Sequence, residues 1–246
     1  MMKKYELMKD DNICVSGKTL YRIRALVNFD RVRAGDIGGY VEGEHNLSNA
    51  GNAWICGDAQ VFENARVSDN ALVCDHARIF GNADVSGNTW IIDDARVYGN
   101  ALASGNAIIS DNAQIYGEAQ AYDNARIYGD AQVFGEVLVR DDAQVYGSAQ
   151  VCGDAWVYGK ALVCGGAAIS KTDHIVVVGP IGIRDDYTTF FRNNKNGITV
   201  TCGCFTGDID QFLKWVSATH GDSKHAVVYK LAAELAQKQI ALEAEE

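Results

Sequence analysis

The hexapeptide Ala95-Arg96-Val97-Tyr98-Gly99-Asn100 is one copy of a pattern that repeats from Leu47 to Thr172. Counted from Leu47, twenty-one consecutive hexads follow one another without an insertion. The first position is Ala in eighteen hexads, the third is Val or Ile in eighteen, the fifth is Gly in thirteen, and the sixth is Asn or Asp in fourteen. A fixed short period of this kind is typical of repeat architectures, so the period decides the fold.

The positions of each hexad have different physical roles. The first and third positions share a face of an extended segment, and Ala with Val or Ile suits a narrow apolar interior. The second and fourth positions are polar or aromatic and are expected to point outward, whereas Gly, Asn and Asp tolerate positive φ and form tight corners. Three such sides close a coil of eighteen residues, which predicts seven stacked coils of parallel strands. A helix is excluded because a period of six places the apolar residues on no single helical face.

Two further segments flank the repeat. Residues 1–46 contain an expected strand and a Gly-rich run, and we interpret them as a cap over the first coil. Residues 173–246 contain short apolar runs followed by two helical patterns, with Asp208 as the expected N-cap of the first helix. The predicted fold is therefore mainly β, with a parallel β-helix over residues 47–172 between an N-terminal cap and a small C-terminal α+β module.

The repeat resembles the left-handed parallel β-helix of the hexapeptide-repeat proteins, best known from trimeric acyltransferases. A second resemblance, to the opening of YdcK-like hexapeptide proteins, rests on Asn46-Leu47-Ser48 and on Phe29-Asp30-Arg31-Val32-Arg33-Ala34-Gly35-Asp36-Ile37-Gly38-Gly39-Tyr40-Val41. Proteins of this type are frequent in phages and prophages. The resemblance implies a left-handed coil and a parallel homotrimer. It also implies two functions, which are an acyltransferase or a phage-encoded counter-defence protein that sequesters a nucleotide signal.

Composition limits the compartment and the partners. The net charge is −10, and acids outnumber bases by fifteen to seven in residues 47–172, which makes the rod a poor partner for nucleic acid or an anionic membrane. The N-terminus shows no secretory leader, and seven cysteines without a framework spacing favour reduced thiols. We therefore expect a cytoplasmic protein that binds neither nucleic acid nor membranes, in which Cys56 and Cys74 are stacked thiols.

The outward positions, arranged in rows of eighteen residues, distinguish three faces. One face carries an apolar stripe that consists of Trp54, Leu72, Trp90 and Ile108. Another carries stacked Phe and Tyr residues beside Gln and Arg, and the third is mostly polar. Because an exposed apolar stripe of this size needs a cover, we predict that the stripe is the subunit interface of a homotrimer, with the aromatic face as its partner. Residues 1–46 are the alternative cover.

The rod offers little for catalysis. His76 is the only histidine of the repeat, and it stands at a corner that Asn or Asp usually occupies. One histidine cannot supply the ligand set of a zinc enzyme, and the spacing of Cys202 and Cys204 is wrong for a zinc knuckle. We predict no catalytic residue, no metal site and no cofactor.

The C-terminal module holds better candidates for ligand binding. Arg184 ends a Gly-containing loop and suits a phosphate or carboxylate. Thr188 and Thr189 add hydroxyl groups nearby, and His220 and His225 flank the break between the two predicted helices. We predict that these five residues bind a small anionic ligand.

Three classes of function remain open. The first is a non-catalytic oligomeric binding protein that holds a small anionic, nucleotide-like ligand or a host protein. The second is a hexapeptide-type acyltransferase, and the third is a structural or assembly rod. We favour the first, because the rod lacks a catalytic constellation and the C-terminal module carries the anion-binding residue types.

Overall fold

The computed structural model describes residues 3–240 and 242. Three strands form the N-terminal cap: β1 (Tyr5–Val15), β2 (Lys18–Ala25) and β3 (Ile37–Val41). Twenty short strands follow between Trp54 and Ile169, and they form the three sides of a rod.

Each side of the rod is one sheet. Sheet 1 contains β5 (Gln60–Val61), β8 (Arg78–Ile79), β11 (Arg96–Val97), β14 (Gln114–Gly117), β17 (Gln132–Gly135), β20 (Gln150–Val151) and β23 (Ala168–Ile169), and β3, β2 and β1 extend it to ten strands. Sheet 2 contains β4 (Trp54–Ile55), β7 (Leu72–Val73), β10 (Trp90–Ile91), β13 (Ile108–Ile109), β16 (Arg126–Ile127), β19 (Gln144–Val145) and β22 (Leu162–Val163). Sheet 3 contains β6 (Arg66–Val67), β9 (Asp84–Val85), β12 (Leu102–Ala103), β15 (Gln120–Ala121), β18 (Leu138–Val139) and β21 (Trp156–Val157).

Except at the C-terminal end of each sheet, every rod strand pairs in parallel with the strand one coil later, as Val97 pairs with Ile115. The Ala and the Val or Ile of the hexads point inward and are fully buried along the rod. A small residue next to a β-branched one fills the narrow interior without voids. The predicted parallel β-solenoid of about seven turns is confirmed.

The corners are held by ladders of polar side chains. Position five of the hexad adopts a left-handed conformation, which Asp adopts as well as Gly, as at Asp111 with φ 56°. The carboxylate of Asp111 accepts a hydrogen bond from the backbone N–H of Gly129 at 2.8 Å. At position six, Asn88 donates to the amide oxygen of Asn106 at 3.0 Å. These contacts join successive coils along the rod edges.

The first coil departs from the predicted register. Leu47 forms a bridge with Val67, and Tyr40 pairs with Gln60, so both spacings are twenty residues instead of eighteen. Leu47 therefore occupies the third position of a hexad and not the first, and residues 48–52 form a corner with two extra residues. The uninterrupted array begins at Ala53, and the prediction that it begins at Leu47 is wrong.

The N-terminal cap closes the first coil. The side chains of Tyr5, Ile23 and Ala25 join the apolar core of the rod. The hydroxyl of Tyr5 donates to the carbonyl of Leu47 at 2.8 Å. The buried ammonium group of Lys4 donates to the carbonyl of Ala53 at 2.9 Å. The widened corner is thus fixed by side chains from β1 and the residue before it.

The C-terminal module is an antiparallel sheet with two helices. Sheet 4 consists of β24 (Ile175–Ile181), β25 (Asp186–Arg192), β26 (Ile198–Cys202) and β27 (Phe205–Asp208), and a 3-10 turn at Thr172–His174 connects it to the rod. The helices α1 (Ile209–His220) and α2 (Lys224–Gln239) pack on one face of this sheet around Phe190 and Phe212. Asp208 caps α1 through a reciprocal capping box with Gln211, as the sequence predicts. On the other face, Phe191 joins the rod core.

Candidate ligand-binding pocket

The C-terminal module contains a cavity of about 330 Å³. It lies between the loop after β24, the turn after β26 and the facing ends of the two helices. Its lining consists of Ile183, Arg184, Asp186, Cys202, Gly203, Cys204, Trp215, Thr219, His220 and Tyr229. Three segments that are distant in sequence therefore meet at one pocket.

Gly182 determines how the loop after β24 reaches the pocket. Its φ is +80°, and a Cβ atom added to it would collide with the hydroxyl oxygen of Tyr229. The backbone of the loop therefore lies directly against Tyr229, which α2 holds at the back of the cavity. This close approach positions the next residues, Ile183 and Arg184, at the mouth of the pocket.

Aromatic rings form one wall of the pocket. The ring of His220 stacks on the ring of Tyr229, with centroids 5.5 Å apart and an interplanar angle of 30°. Trp215 meets His220 edge to face, with centroids 5.9 Å apart. Trp215 also packs against Phe205 and Phe212, so the module core fixes the orientation of the wall.

The charge in the pocket comes from few groups. Arg184 is exposed at the mouth, and within the described part of the chain its guanidinium forms no ion pair. Asp186 contributes one carboxylate to the lining. Burial, together with the neighbouring Cys202 thiol, raises the pKa of Tyr229 to about 12, so its hydroxyl remains neutral at physiological pH. The arrangement suits an anion that contacts Arg184 while the remainder of the ligand lies on the aromatic wall.

The structure brings together two of the five residues predicted to bind a ligand. Arg184 and His220 both line the pocket. His225 lies next to His220, with ring centroids 6.4 Å apart, but it does not line the cavity.

Thr188 and Thr189 are not ligand-binding residues in this structure, and both predictions are wrong. Both side chains are buried. The hydroxyl of Thr188 donates to the sulfur of Cys202 at 3.2 Å. The hydroxyl of Thr189 accepts the backbone N–H of Leu162 from the rod at 3.0 Å. Sheet 4 is covered on both faces, so neither hydroxyl reaches the cavity.

The sequence reasoning missed Trp215 as a pocket residue. Trp215 lies on α1, five residues before His220. A tryptophan this close to a histidine near the end of a predicted helix could have indicated a pocket residue. A zinc site at Cys202 and Cys204 was considered and was not predicted. Among residues 3–240 and 242, no group of three or more His, Cys, Asp or Glu side chains is placed to hold a metal ion.

The apolar stripe on sheet 2 is only partly exposed. Trp54 is 4% exposed, because Phe29 of the N-terminal segment covers it edge to face at 5.5 Å. Leu72 and Ile108 are half-buried, and Trp90 is 42% exposed. Trp54 therefore belongs to the cap contact, and its predicted place in a subunit interface is wrong.

Cys56 and Cys74 stand beside this stripe at the same position of successive coils. Their Cα atoms are 4.6 Å apart, and their sulfur atoms are in contact. Side chains at equivalent positions of neighbouring coils are directly stacked, which brings the two sulfur atoms together. The predicted stacking of the two cysteines is confirmed, and the contact between their sulfur atoms would permit a disulfide.

Sheet 3 carries a second apolar patch that the sequence reasoning did not identify. Trp156 is 45% exposed and Tyr158 is 41% exposed. The guanidinium of Arg140, one coil earlier, lies within 6 Å of both ring centroids. Leu102 on the same sheet is also exposed.

Sheet 1 carries the predicted aromatic face. Five rings stack in one column with neighbouring centroids 4.8–5.2 Å apart; they belong to Phe62, Phe80, Tyr98, Tyr116 and Phe134. Leu20 of β2 packs in a buried cluster with Tyr40 and Phe62. The N-terminal hairpin thus covers one end of this column.

Comparison with known proteins agrees with this architecture. Residues 119–135 and 149–165 match the family model of the YdcK beta solenoid repeat. No curated protein matches the sequence. In the described part of the chain, none of the helices is long and apolar enough to cross a membrane. The matched stretches contain β15 to β17 and β20 to β22, each of which pairs in parallel with a strand of a neighbouring coil. Together, the matched repeats and the seven-turn parallel solenoid show a repeat β-helix that is similar, over these residues, to the YdcK beta solenoid repeat.

Proposed function

We propose that this protein is a non-catalytic oligomeric binding protein whose C-terminal module holds a small anionic ligand. The observation that carries the proposal is the position of Arg184, whose guanidinium has no ion pair within the described residues and lies at the mouth of a cavity with one aromatic wall. A charge-assisted hydrogen bond to such a group is worth roughly 1.5–3 kcal/mol, enough to select an anion.

The rod is the less favourable place for a ligand site. From Ala53 to Ile169 the strands follow one another at six-residue intervals, which leaves no loop to shape an acyl-donor site. His76 lies exposed at a corner. These features support binding at the C-terminal module over the alternative of a hexapeptide-type acyltransferase.

Oligomerisation is the second part of the proposal. Trp90 on sheet 2 and Trp156 on sheet 3 both expose large rings, and exposed aromatic rings in a contiguous patch are typical of protein interfaces. We place the contacts of a homotrimer on these two faces, because the hairpin covers part of sheet 1. A rod of three chains would display three C-terminal modules.

The cellular role follows from the ligand class. An oligomer with three pockets is suited to sequester a small molecule. Because the sequence resembles phage-type proteins, we include a nucleotide signal or a host protein among the partners that this proposal covers. A cytoplasmic location is part of this proposal.

The pocket is tested with one substitution and a matched control. We expect isothermal titration with adenosine 5′-monophosphate to show at least tenfold weaker binding to Arg184→Ala than to wild type, which corresponds to about 1.4 kcal/mol. Lys214→Ala removes an exposed positive charge from α1 outside the pocket and should leave the affinity unchanged. Equal binding by wild type and Arg184→Ala would exclude the pocket as the anion site.

Native mass spectrometry of the intact oligomer complements this titration. A retained small molecule that is lost in Arg184→Ala would identify the physiological ligand. Deletion of the whole module is a poor test, because sheet 4 also closes the last coil of the rod.

A further inference from the structure

We infer that the ligand of this pocket consists of a planar aromatic ring that carries a single anionic group. The inference rests on the proposed function and specifies the chemistry that the pocket selects. Nucleoside monophosphates and aromatic carboxylates share this chemistry.

The ring requirement comes from the wall of the pocket. His220 stacks on Tyr229, and Trp215 holds the outer edge of His220 in an edge-to-face contact. Because Tyr229 is buried, the accessible part of the wall consists of His220 and the half-buried Trp215. Ile183, which is 70% exposed, stands across the mouth. A flat ring that enters between Ile183 and the wall gains stacking and apolar contact.

The limit of one anionic group follows from the charged side chains that line the pocket. Among the described lining residues, Arg184 is the only arginine or lysine, and Asp186 supplies an opposing carboxylate. Tyr229 adds no charge, because burial raises its pKa to about 12. A triphosphate would bring several negative charges toward one guanidinium, on a chain whose net charge is −10. Repulsion would then offset what the extra phosphates gain.

The size of the cavity agrees with this ligand class. A volume of about 330 Å³ lies at the lower end of the range of ligand pockets, roughly 300–1,000 Å³. A single ring system with one anionic group fits such a space, whereas a dinucleotide would extend beyond it.

The test compares probes that differ by one feature. Adenosine 5′-monophosphate and indole-3-acetate carry both ring and anion; ribose 5-phosphate lacks the ring, adenosine lacks the anion, and adenosine 5′-triphosphate adds charge. We expect at least one of the first two to bind at least tenfold more tightly than ribose 5-phosphate and adenosine, and the triphosphate to bind no more tightly than the monophosphate. The preferred probe distinguishes a nucleotide from an aromatic acid.

A chemical footprint locates the binding. Cys204 is an exposed thiol in the pocket lining, and Cys14 is an exposed thiol in β1 of the N-terminal cap. The tighter-binding probe should slow alkylation of Cys204 by iodoacetamide at least fivefold and leave the alkylation of Cys14 unchanged. His220→Ala should weaken binding of the ring-bearing probes at least fivefold and leave the affinity for ribose 5-phosphate unchanged.

The outcomes separate this inference from the proposed function. One outcome is that wild type binds ribose 5-phosphate and adenosine 5′-monophosphate with equal affinity and Arg184→Ala binds neither. That result would overturn the ring requirement but support the anion site at Arg184. Tighter binding of the triphosphate would overturn the limit of one anionic group. Binding of adenosine as tight as its monophosphate, or no binding of any probe, would overturn both proposals.

Discussion

Leu162 donates its backbone N–H to the hydroxyl of Thr189 at 3.0 Å, which joins the last strand of sheet 2 to the C-terminal module. The hydroxyl of Thr201 donates to the carbonyl of the same Leu162 at 2.8 Å. A parallel sheet that ends at β22 would otherwise leave this peptide group without a partner. Two threonine side chains therefore supply the hydrogen bonds that the backbone of a further coil would make with this peptide group.

Thr189→Val should lower stability without changing ligand binding. The substitution keeps the shape of the side chain but leaves the N–H of Leu162 buried without a partner, at a cost of about 1–3 kcal/mol. Urea unfolding measures the loss, and Thr206→Val on the exposed side of β27 is the control. If Thr189→Val instead weakened ligand binding and left stability unchanged, the structural role assigned to Thr189 would be wrong.

Gly182→Ala should disable the pocket by steric conflict. A methyl group at this position collides with the Tyr229 hydroxyl, so the loop that carries Arg184 must move. We expect at least tenfold weaker binding of adenosine 5′-monophosphate in a titration. Gly17→Ala has a similar positive φ, 79°, but meets no atom within 4 Å, and it should not affect affinity.

A second substitution makes the test of Gly182 sharper. Tyr229→Phe removes the hydroxyl that the new methyl group would meet. The double variant Gly182→Ala/Tyr229→Phe should therefore recover part of the affinity lost in Gly182→Ala. Equal affinities for the single and double variants would show that backbone strain, and not the contact with Tyr229, causes the loss.

Trp90→Glu and Trp156→Glu should each shift the oligomer toward monomer. Both rings are more than 40% exposed in the single chain, and a carboxylate buried in a subunit contact is unfavourable. Light scattering after size exclusion should give three times the 26.6 kDa chain mass for wild type. Arg78→Glu, an exposed change on sheet 1, is the control for added negative charge. A monomeric wild type would refute the trimer.

Thiol titration should distinguish five free cysteines from seven. The sulfur atoms of Cys56 and Cys74 are in contact and we expect them to pair, whereas the other five cysteines are free. Protein unfolded without reductant should therefore react at five thiols, and at seven after reduction. Seven reactive thiols before reduction would show that Cys56 and Cys74 are stacked thiols without a disulfide.

Stability should rise with pH between about 8 and 10 because of Lys4. Burial lowers the pKa of Lys4 to about 8 from an ordinary value of 10.5. In this window the unfolded chain binds the proton that the folded chain has lost, so folding becomes more favourable as pH rises. The gain from pH 8 to 9.5 is at most about 2 kcal/mol. Urea unfolding at pH 7.5 and 9.5 should show the rise in wild type, and Lys4→Met should abolish it.

The rod could be predicted from sequence because every coil repeats one environment. Val97 and Ile115 face the same kind of neighbours in successive coils, so twenty-one copies of one pattern support a single interpretation. The first hexad was misplaced because Leu47 fits two positions of the pattern equally well. Only its pairing with Val67 shows which position it occupies.

The pocket depended on packing that no local pattern encodes. Arg184 and His220 were predicted from their residue types and from their positions at the ends of predicted strands and helices. Trp215 joins them only because α1 folds over sheet 4. Thr188 and Thr189 were selected because their hydroxyls lie close to Arg184 in the sequence, and that closeness does not show that both faces of their strand are covered. Here the helices cover one face and the rod covers the other.

The constant pairing distance of eighteen residues has a consequence for how such a protein can change length. A duplication or deletion of one whole coil leaves every Ala, corner and side-chain ladder with equivalent neighbours, and neither the N-terminal cap nor Leu162 and its threonines would be disturbed. The distance between the two ends of the chain can therefore grow or shrink in steps of about 4.8 Å. An insertion of one hexad would keep the alanines inside but would move every later element to another side of the rod, and the extra residues in the corner at 48–52 show that a corner can widen without such a shift. Only whole coils therefore change the reach of this molecule without turning one end against the other.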